Sequence, residues 1–209
     1  MGPVPDLLDR RLLLFTGKGG VGKSTVTAAT ALLAAGRGKR VLLVEVDSKG
    51  SLAALFERPP VGFQPEVVHP GVWAMQMDTE ASLREYLKLH ARIPVFGRLG
   101  PLAHAFDFVA NAAPGVREIL TIGKVCWELR ESIEGHGGWD LIVVDAAATG
   151  HVVSQLDAPR AIQELVHVGP IRSQTEWMAE LLSDPELTAL NVVTAPEDMP
   201  VNETIELVG

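Results

Sequence analysis

The stretch Gly17-Lys18-Gly19-Gly20-Val21-Gly22-Lys23-Ser24 constrains this chain more than any other part of it. It fits the pattern G-x-x-x-x-G-K-[ST]. An apolar, β-rich run, Leu12–Thr16, comes before it. An Ala- and Leu-rich run, Ser24 to Ala35, follows and stops at Gly36, a helix C-cap. Strand, glycine loop and helix in that order is the context in which the pattern has a mechanism. Glycines let successive backbone N–H groups curl round a phosphate, and the helix N-terminus adds partial positive charge. Lys23 can then reach β- and γ-phosphates, and the Ser24 hydroxyl can hold Mg²⁺. Gly17, Gly19, Gly20, Val21, Gly22, Lys23, Ser24 and Thr25 are therefore the candidate contacts to a nucleoside triphosphate.

Such a loop needs an α/β sheet around it, and the chain supplies one. Beyond Leu12–Thr16, four more β-rich runs occur at Val41–Val46, Val72–Met77, Leu141–Asp145 and Leu190–Thr194. Each is nearly continuous in apolar residues, the signature of strands covered on both faces. Helical stretches alternate with them, which predicts a mostly parallel sheet flanked by helices. Between the third and fourth strands, residues 78–136 exceed what a crossover requires. Ser82–His90, Gly100–Ala110 and Val116–Ile133 read there as helices, punctuated by Pro94, Pro101 and Pro114. We expect a helical layer inserted into one nucleotide-binding domain, residues 1–209. The Met75/Met77 and Phe106/Phe108 pairs read as core packing. Val152 to Pro185 has room for about two helices.

Charge and cysteine exclude several classes. Asp plus Glu number 26 against 18 Lys plus Arg, a net charge of −8 that disfavours a general nucleic-acid or anionic-membrane surface. Hydrophobic residues make up 47% of the chain, high for a soluble protein, and charged residues 21%, a balance that does not fit disorder. Apolar runs are too short to span a bilayer. Lys18 and Lys23 break the apolar stretch after Arg10-Arg11, so neither a signal peptide nor a transmembrane segment is expected, and the expected location is cytoplasmic. Cys126 is alone and reads as a small buried hydrophobe. The six histidines show no metal-ligand spacing.

Two carboxylates at strand ends carry further chemistry. Val44-Glu45-Val46-Asp47 closes the second strand, where open α/β sheets place ligands. Asp47 either orients an attacking water or simply starts a helix, and Glu45 reads as structural. Ile142-Val143-Val144-Asp145 ends the fourth strand, so Asp145 is the candidate Mg²⁺ partner opposite Ser24. The small residues Ala146-Ala147-Ala148-Thr149-Gly150-His151 then suit a loop that senses a γ-phosphate.

Lys18-Gly-Gly-Val-Gly-Lys-Ser-Thr25 resembles the deviant Walker A motif of P-loop ATPases. Further residues make the resemblance specific to the ArsA/Get-type ATPases, the arsenite-pump and tail-anchored-protein-targeting family. The Asp47…Leu52…Phe56 spacing is similar to that family's first switch. Pro114-Gly115-Val116-Arg117-Glu118 looks like its P-G-x-x-E element. Asp145 to His151 looks like its second switch, and Pro196-Glu197 followed by Glu203-Thr204 resembles its late loop beside the nucleotide. The actinobacterial ArsA-like ATPases, which occur as paralogous pairs, are the nearest likeness. The resemblance implies an Mg²⁺-dependent ATPase switch with ATP and Mg²⁺ as cofactors and Pro196 and Glu197 at the nucleotide. It implies a homodimer, or a heterodimer with a paralogous ATPase, closing around nucleotide. Lys18 would act across the interface, and hydrolysis would be coupled to a partner such as a membrane-protein client.

Departures from the pattern set the alternatives. Asp47-Ser48-Lys49-Gly50 replaces the family's D-P-A-H, and Ala146 and Ala148 replace Thr and Pro in the second switch. Slow hydrolysis, or a nucleotide-holding subunit that works with a paralogue, is the first alternative. A ParA/MinD-like positioning ATPase is another, opposed by the acidic balance. A lone Cys126 gives no trigonal thiolate site for arsenite. Family members continue past Gly209, so the resemblance also implies a chain cut before the adenine-contacting portion.

Overall fold

The computed structural model describes residues 6–46, 51–90, 115–136 and 138–208. Its centre is a six-stranded sheet: β1 (Leu12–Thr16), β2 (Val41–Glu45), β3 (Glu66–His69), β4 (Val72–Gln76), β5 (Leu141–Asp145) and β6 (Thr188–Val192). The strand order is β3-β4-β2-β5-β1-β6. All pairs are parallel except β3–β4. Helices α1 (Lys23–Gly36), α2 (Ser51–Leu55), α3 (Thr79–His90), α4 (Val116–Ile133), α5 (Thr149–Leu165), α6 (Pro170–Ser183) and α7 (Asp198–Val208) complete the described elements.

Every residue of β1, β2 and β5 is buried, as their unbroken apolar sequences require. Alternate side chains sort to opposite faces of the sheet. Leu13, Phe15, Leu43 and Val143 pack beneath Ala28, Ala31 and Ala34 of α1. The alanines let that helix sit close to the strands, with the glycine loop at its head. Leu12, Leu14, Leu42, Val44, Ile142 and Val144 face the other way, against Ile122, Val125, Cys126 and Leu129 of α4. Each fully buried leucine contributes on the order of 1.5–3 kcal/mol. Met75 and Met77 belong to this second core, and Cys126 is fully buried, both as the sequence indicated.

A charged buckle joins the inserted helices to this core. The Lys124 ammonium of α4 lies 2.7 Å from Glu85 of α3 and 2.8 Å from Glu128. The Trp139 indole N–H donates to the other Glu128 oxygen at 2.8 Å. Desolvation pulls the Lys124 pKa down, but the Glu128 and Glu85 carboxylates outweigh it and leave the ammonium above its usual range.

Several expectations change. β3 lacks a continuous apolar run because it is an antiparallel edge strand with only Val68 buried; it adds a sixth strand. The helical insertion therefore follows the fourth strand rather than the third. β6 spans Thr188–Val192, not Leu190–Thr194, because β1 supplies partners only from Leu12 to Thr16. β6 is half-exposed at the sheet edge, so hydrophobicity marks its ends poorly. α3 starts at Thr79, three residues before Ser82, where the Asp78 carboxylate accepts the Ala81 N–H at 2.7 Å. α7 starts at Asp198 rather than near Val201. The expected helix Gly100–Ala110 and Phe106/Phe108 lie outside the described residues. No helix among the described residues is long and apolar enough to cross a membrane.

Candidate nucleotide site

Parallel pairing brings the C-terminal ends of β1, β2 and β5 to one edge, with Phe15 level with Asp145 and Glu45 level with Asp145. The glycine loop leaves β1 at that edge. Gly17 is buried there with φ 154°, and a Cβ on it would lie 2.1 Å from the Val193 carbonyl oxygen. Only glycine lets the loop pass so near the end of β6. Gly20 and Gly22 both have φ 91°, and no atom lies within 4 Å of where a Cβ would stand at Gly19, Gly20 or Gly22. The exposed part of the loop thus has open space where side chains would otherwise stand.

Lys23 opens α1 and turns its ammonium toward Asp145, 3.0 Å from Oδ1. The same ammonium donates to the Ala146 carbonyl. The Ser24 hydroxyl donates to Asp145 Oδ2 at 2.5 Å. Asp145 is 4% exposed and faces an ammonium and a hydroxyl from the loop–helix junction. Lysine and hydroxyl thus meet a carboxylate over 120 positions away in sequence. Ser24 and Asp145 present hard oxygen donors to one point, a set that fits Mg²⁺. The Thr16 hydroxyl pins the loop after β5 by donating to the Ala147 carbonyl at 2.8 Å.

Lys18 takes a different partner. Its ammonium is 2.9 Å from Glu203 Oε1 on α7, and Glu203 Oε2 accepts the Thr149 hydroxyl at 3.1 Å. The Lys18 hydrogen bond holds the Glu203 carboxyl below the ordinary glutamate value of 4.5, against the opposing effect of desolvation. In the sequence Glu203 and Thr149 stand only within longer motifs, and neither the P-E…E-T nor the D-A-A-A-T spacing pairs one with the other.

The remaining candidates are less engaged. Val21 is half-buried and Thr25 exposed. Pro196 and Glu197 lie in an exposed turn between β6 and α7, three and four residues past Val193, whose N–H donates to the Thr16 carbonyl at 2.8 Å. That places the turn at the same sheet edge as the glycine loop. Glu45 is 2% exposed on the strand beside Asp145. Asp47 lies outside the described residues.

Residues 10–175 match the family of anion-transporting ATPases. The ATPase BagA of Mycobacterium tuberculosis is 38% identical over 204 residues, covering 95% of this chain and 60% of that protein. An arsenical pump-driving ATPase of Acidiphilium multivorum is 32% identical over 218 residues, covering 91% of this chain and 35% of its own. One from Escherichia coli shows the same identity and coverage. The chain thus spans about 60% of the length of BagA and about a third of the pump-driving ATPases. With the match running from before the glycine loop to α6, and with the loop, Lys23, Ser24 and Asp145 assembled as described, the chain belongs to the ArsA-type anion-transporting ATPase family.

Proposed function

We propose that this chain is the nucleotide domain of a cytoplasmic Mg²⁺-dependent ATPase switch. Residues 1–209 act as one unit, closing as a homodimer or paired with a paralogue and coupling ATP hydrolysis to a protein client. The convergence of Lys23, Ser24 and Asp145 at the head of the glycine loop carries this reading.

The chemistry follows from charge. A triphosphate in the loop meets backbone N–H groups and the α1 N-terminus, and draws Lys23 from Asp145 toward the β- and γ-phosphates. Mg²⁺, held by Ser24 and Asp145 when bound, neutralises phosphate charge. Losing the Lys23 contact to phosphate leaves Asp145 free to serve the metal side, so one carboxylate does both jobs in turn. Asp47 aligns the attacking water, and Lys18 reaches phosphate across a dimer interface. Catalysis by such a set is positioning plus charge stabilisation. Gly17, Gly19, Gly20, Val21, Gly22 and Thr25 hold the phosphates, with Pro196 and Glu197 beside the nucleotide.

The test is binding and turnover with Lys23→Ala and Lys18→Ala. Lys23→Ala is expected to abolish binding of a fluorescent ATP analogue. Lys18→Ala is expected to spare binding by a monomer and cut hydrolysis. Light scattering with ADP and a transition-state mimic reads the dimer. A persistent monomer that binds no nucleotide would sink the proposal. The alanines at 146 and 148 favour one second reading, a nucleotide-holding subunit whose paralogue hydrolyses. Turnover measured alone and with that paralogue separates the two.

A further inference from the structure

Two lysines flank the glycine loop, and each is held by a carboxylate that also takes a hydroxyl. Lys23 shares Asp145 with Ser24, 3.0 Å and 2.5 Å away. Lys18 shares Glu203 with Thr149, 2.9 Å and 3.1 Å away. The first set is the phosphate and metal end just described. In the second set Glu203 and Thr149 have no role in that description, yet the set spans the loop, the head of α5 after β5, and α7.

We propose that Glu203 is a positioning residue that withholds Lys18 until nucleotide is bound, so that freeing Lys18 also frees Thr149 and α7. The inference rests on the nucleotide reading above. Its physical basis is that one ammonium cannot serve a carboxylate and a triphosphate at full strength together. Glu203 projects from the middle of α7, and Thr149 is the first residue of α5 and 8% exposed. A carboxylate bridging them stitches the middle of α7 and the head of α5 to the loop. Lys18 and Glu203 side chains are 25% and 35% exposed, so water screens the pair and the hold is weak enough for phosphate to break. A buried pair of this kind would lock the loop; an exposed one would hold nothing. When Lys18 turns to phosphate, Glu203 retains only the neutral Thr149 hydroxyl, and the loop after β5 and α7 lose their shared anchor to the loop. Nucleotide occupancy thereby becomes a change in how α7 sits, at a surface where α7 exposes Met199, Ile205 and Val208.

The experiment is amine-reactive labelling read by mass spectrometry on the nucleotide-free chain, in the wild type, Glu203→Gln and Thr149→Val. Lys18 in Glu203→Gln should label about 2- to 5-fold faster, the range that an exposed ion pair protects. Thr149→Val should move Lys18 in the same direction by less. Exposed Lys88 should not change, and buried Lys124 should stay protected, which separates release of Lys18 from unfolding. In the second arm, apparent affinity for a non-hydrolysable ATP analogue with Mg²⁺ is measured at fixed chain concentration. Glu203→Gln should tighten it about 2- to 5-fold, and the gain should vanish in a Lys18→Ala background. Unchanged Lys18 labelling overturns the hold. Faster labelling with unchanged or weaker nucleotide affinity overturns the coupling. A wild type that binds no nucleotide sinks the nucleotide reading instead, while the labelling arm still decides whether Glu203 holds Lys18.

Discussion

Replacing Gly17 with alanine tests both the loop's geometry and its purpose. The new Cβ would stand 2.1 Å from the Val193 carbonyl oxygen and 3.1 Å from its carbonyl carbon. A relaxed carbon–oxygen contact is about 3.3 Å or more, so the two groups must part by about 1.2 Å. Val193 cannot simply swing away, because its N–H is bonded to the Thr16 carbonyl at 2.8 Å. Overpacking of this kind costs about 1–3 kcal/mol. Holding alanine at φ 154° adds roughly another 1–3 kcal/mol. The total, about 2–6 kcal/mol, should lower the urea midpoint by roughly 0.7–3 M at an m-value of about 2–3 kcal/mol/M. Gly19→Ala is the control. No atom lies within 4 Å of its Cβ, and its φ is not left-handed. Its unfolding free energy should change by under about 0.5 kcal/mol, yet it should weaken ATP binding by narrowing the phosphate cradle. Urea titration followed by circular dichroism, beside fluorescent-nucleotide binding, reads both variants. Equal midpoints for Gly17→Ala and Gly19→Ala would refute the argument that the Val193 contact fixes glycine at 17.

Other outcomes follow from the same contacts. Asp145→Asn keeps the shape but removes the charge opposite Lys23 and Ser24; steady-state turnover of MgATP should fall by about 100-fold or more. Turnover within threefold of wild type would place the metal end elsewhere. Lys124→Met strands Glu85 and Glu128, and should cost roughly 3 kcal/mol in urea unfolding, with Lys124→Arg recovering much of it. Burial pushes the Cys126 thiol up to about 12 from its usual 9.0, so folding favours the neutral thiol. That contribution is complete below pH 9 and declines as pH rises from there toward 12. The wild type should therefore lose stability between pH 8.5 and 10 faster than Cys126→Ala, a comparison of urea midpoints that also predicts no thiol labelling before unfolding.

The amino-acid sequence by itself determined the strand–loop–helix unit, since contiguous residues carry each of its parts: apolar Leu12–Thr16, the glycines, Lys23, Ser24 and the alanine face of α1. It also determined the double-sided burial of β1, β2 and β5, because a run without polar interruption has no face to show to water. It marked Asp145 as the partner at the far strand, for the same reason that the run before it ends abruptly in charge. Edge elements escaped it. β3 and β6 are half-exposed, so hydrophobic patterning carries little of their bounds. Only the tertiary structure decided which cation meets which anion. The β1–β5 register puts Asp145 under Lys23 and Ser24, and packing of α7 against α5 brings Glu203 to Lys18, 185 positions earlier in the chain. Such pairings depend on where whole elements dock, and docking is set by the summed burial of many side chains that no local spacing records.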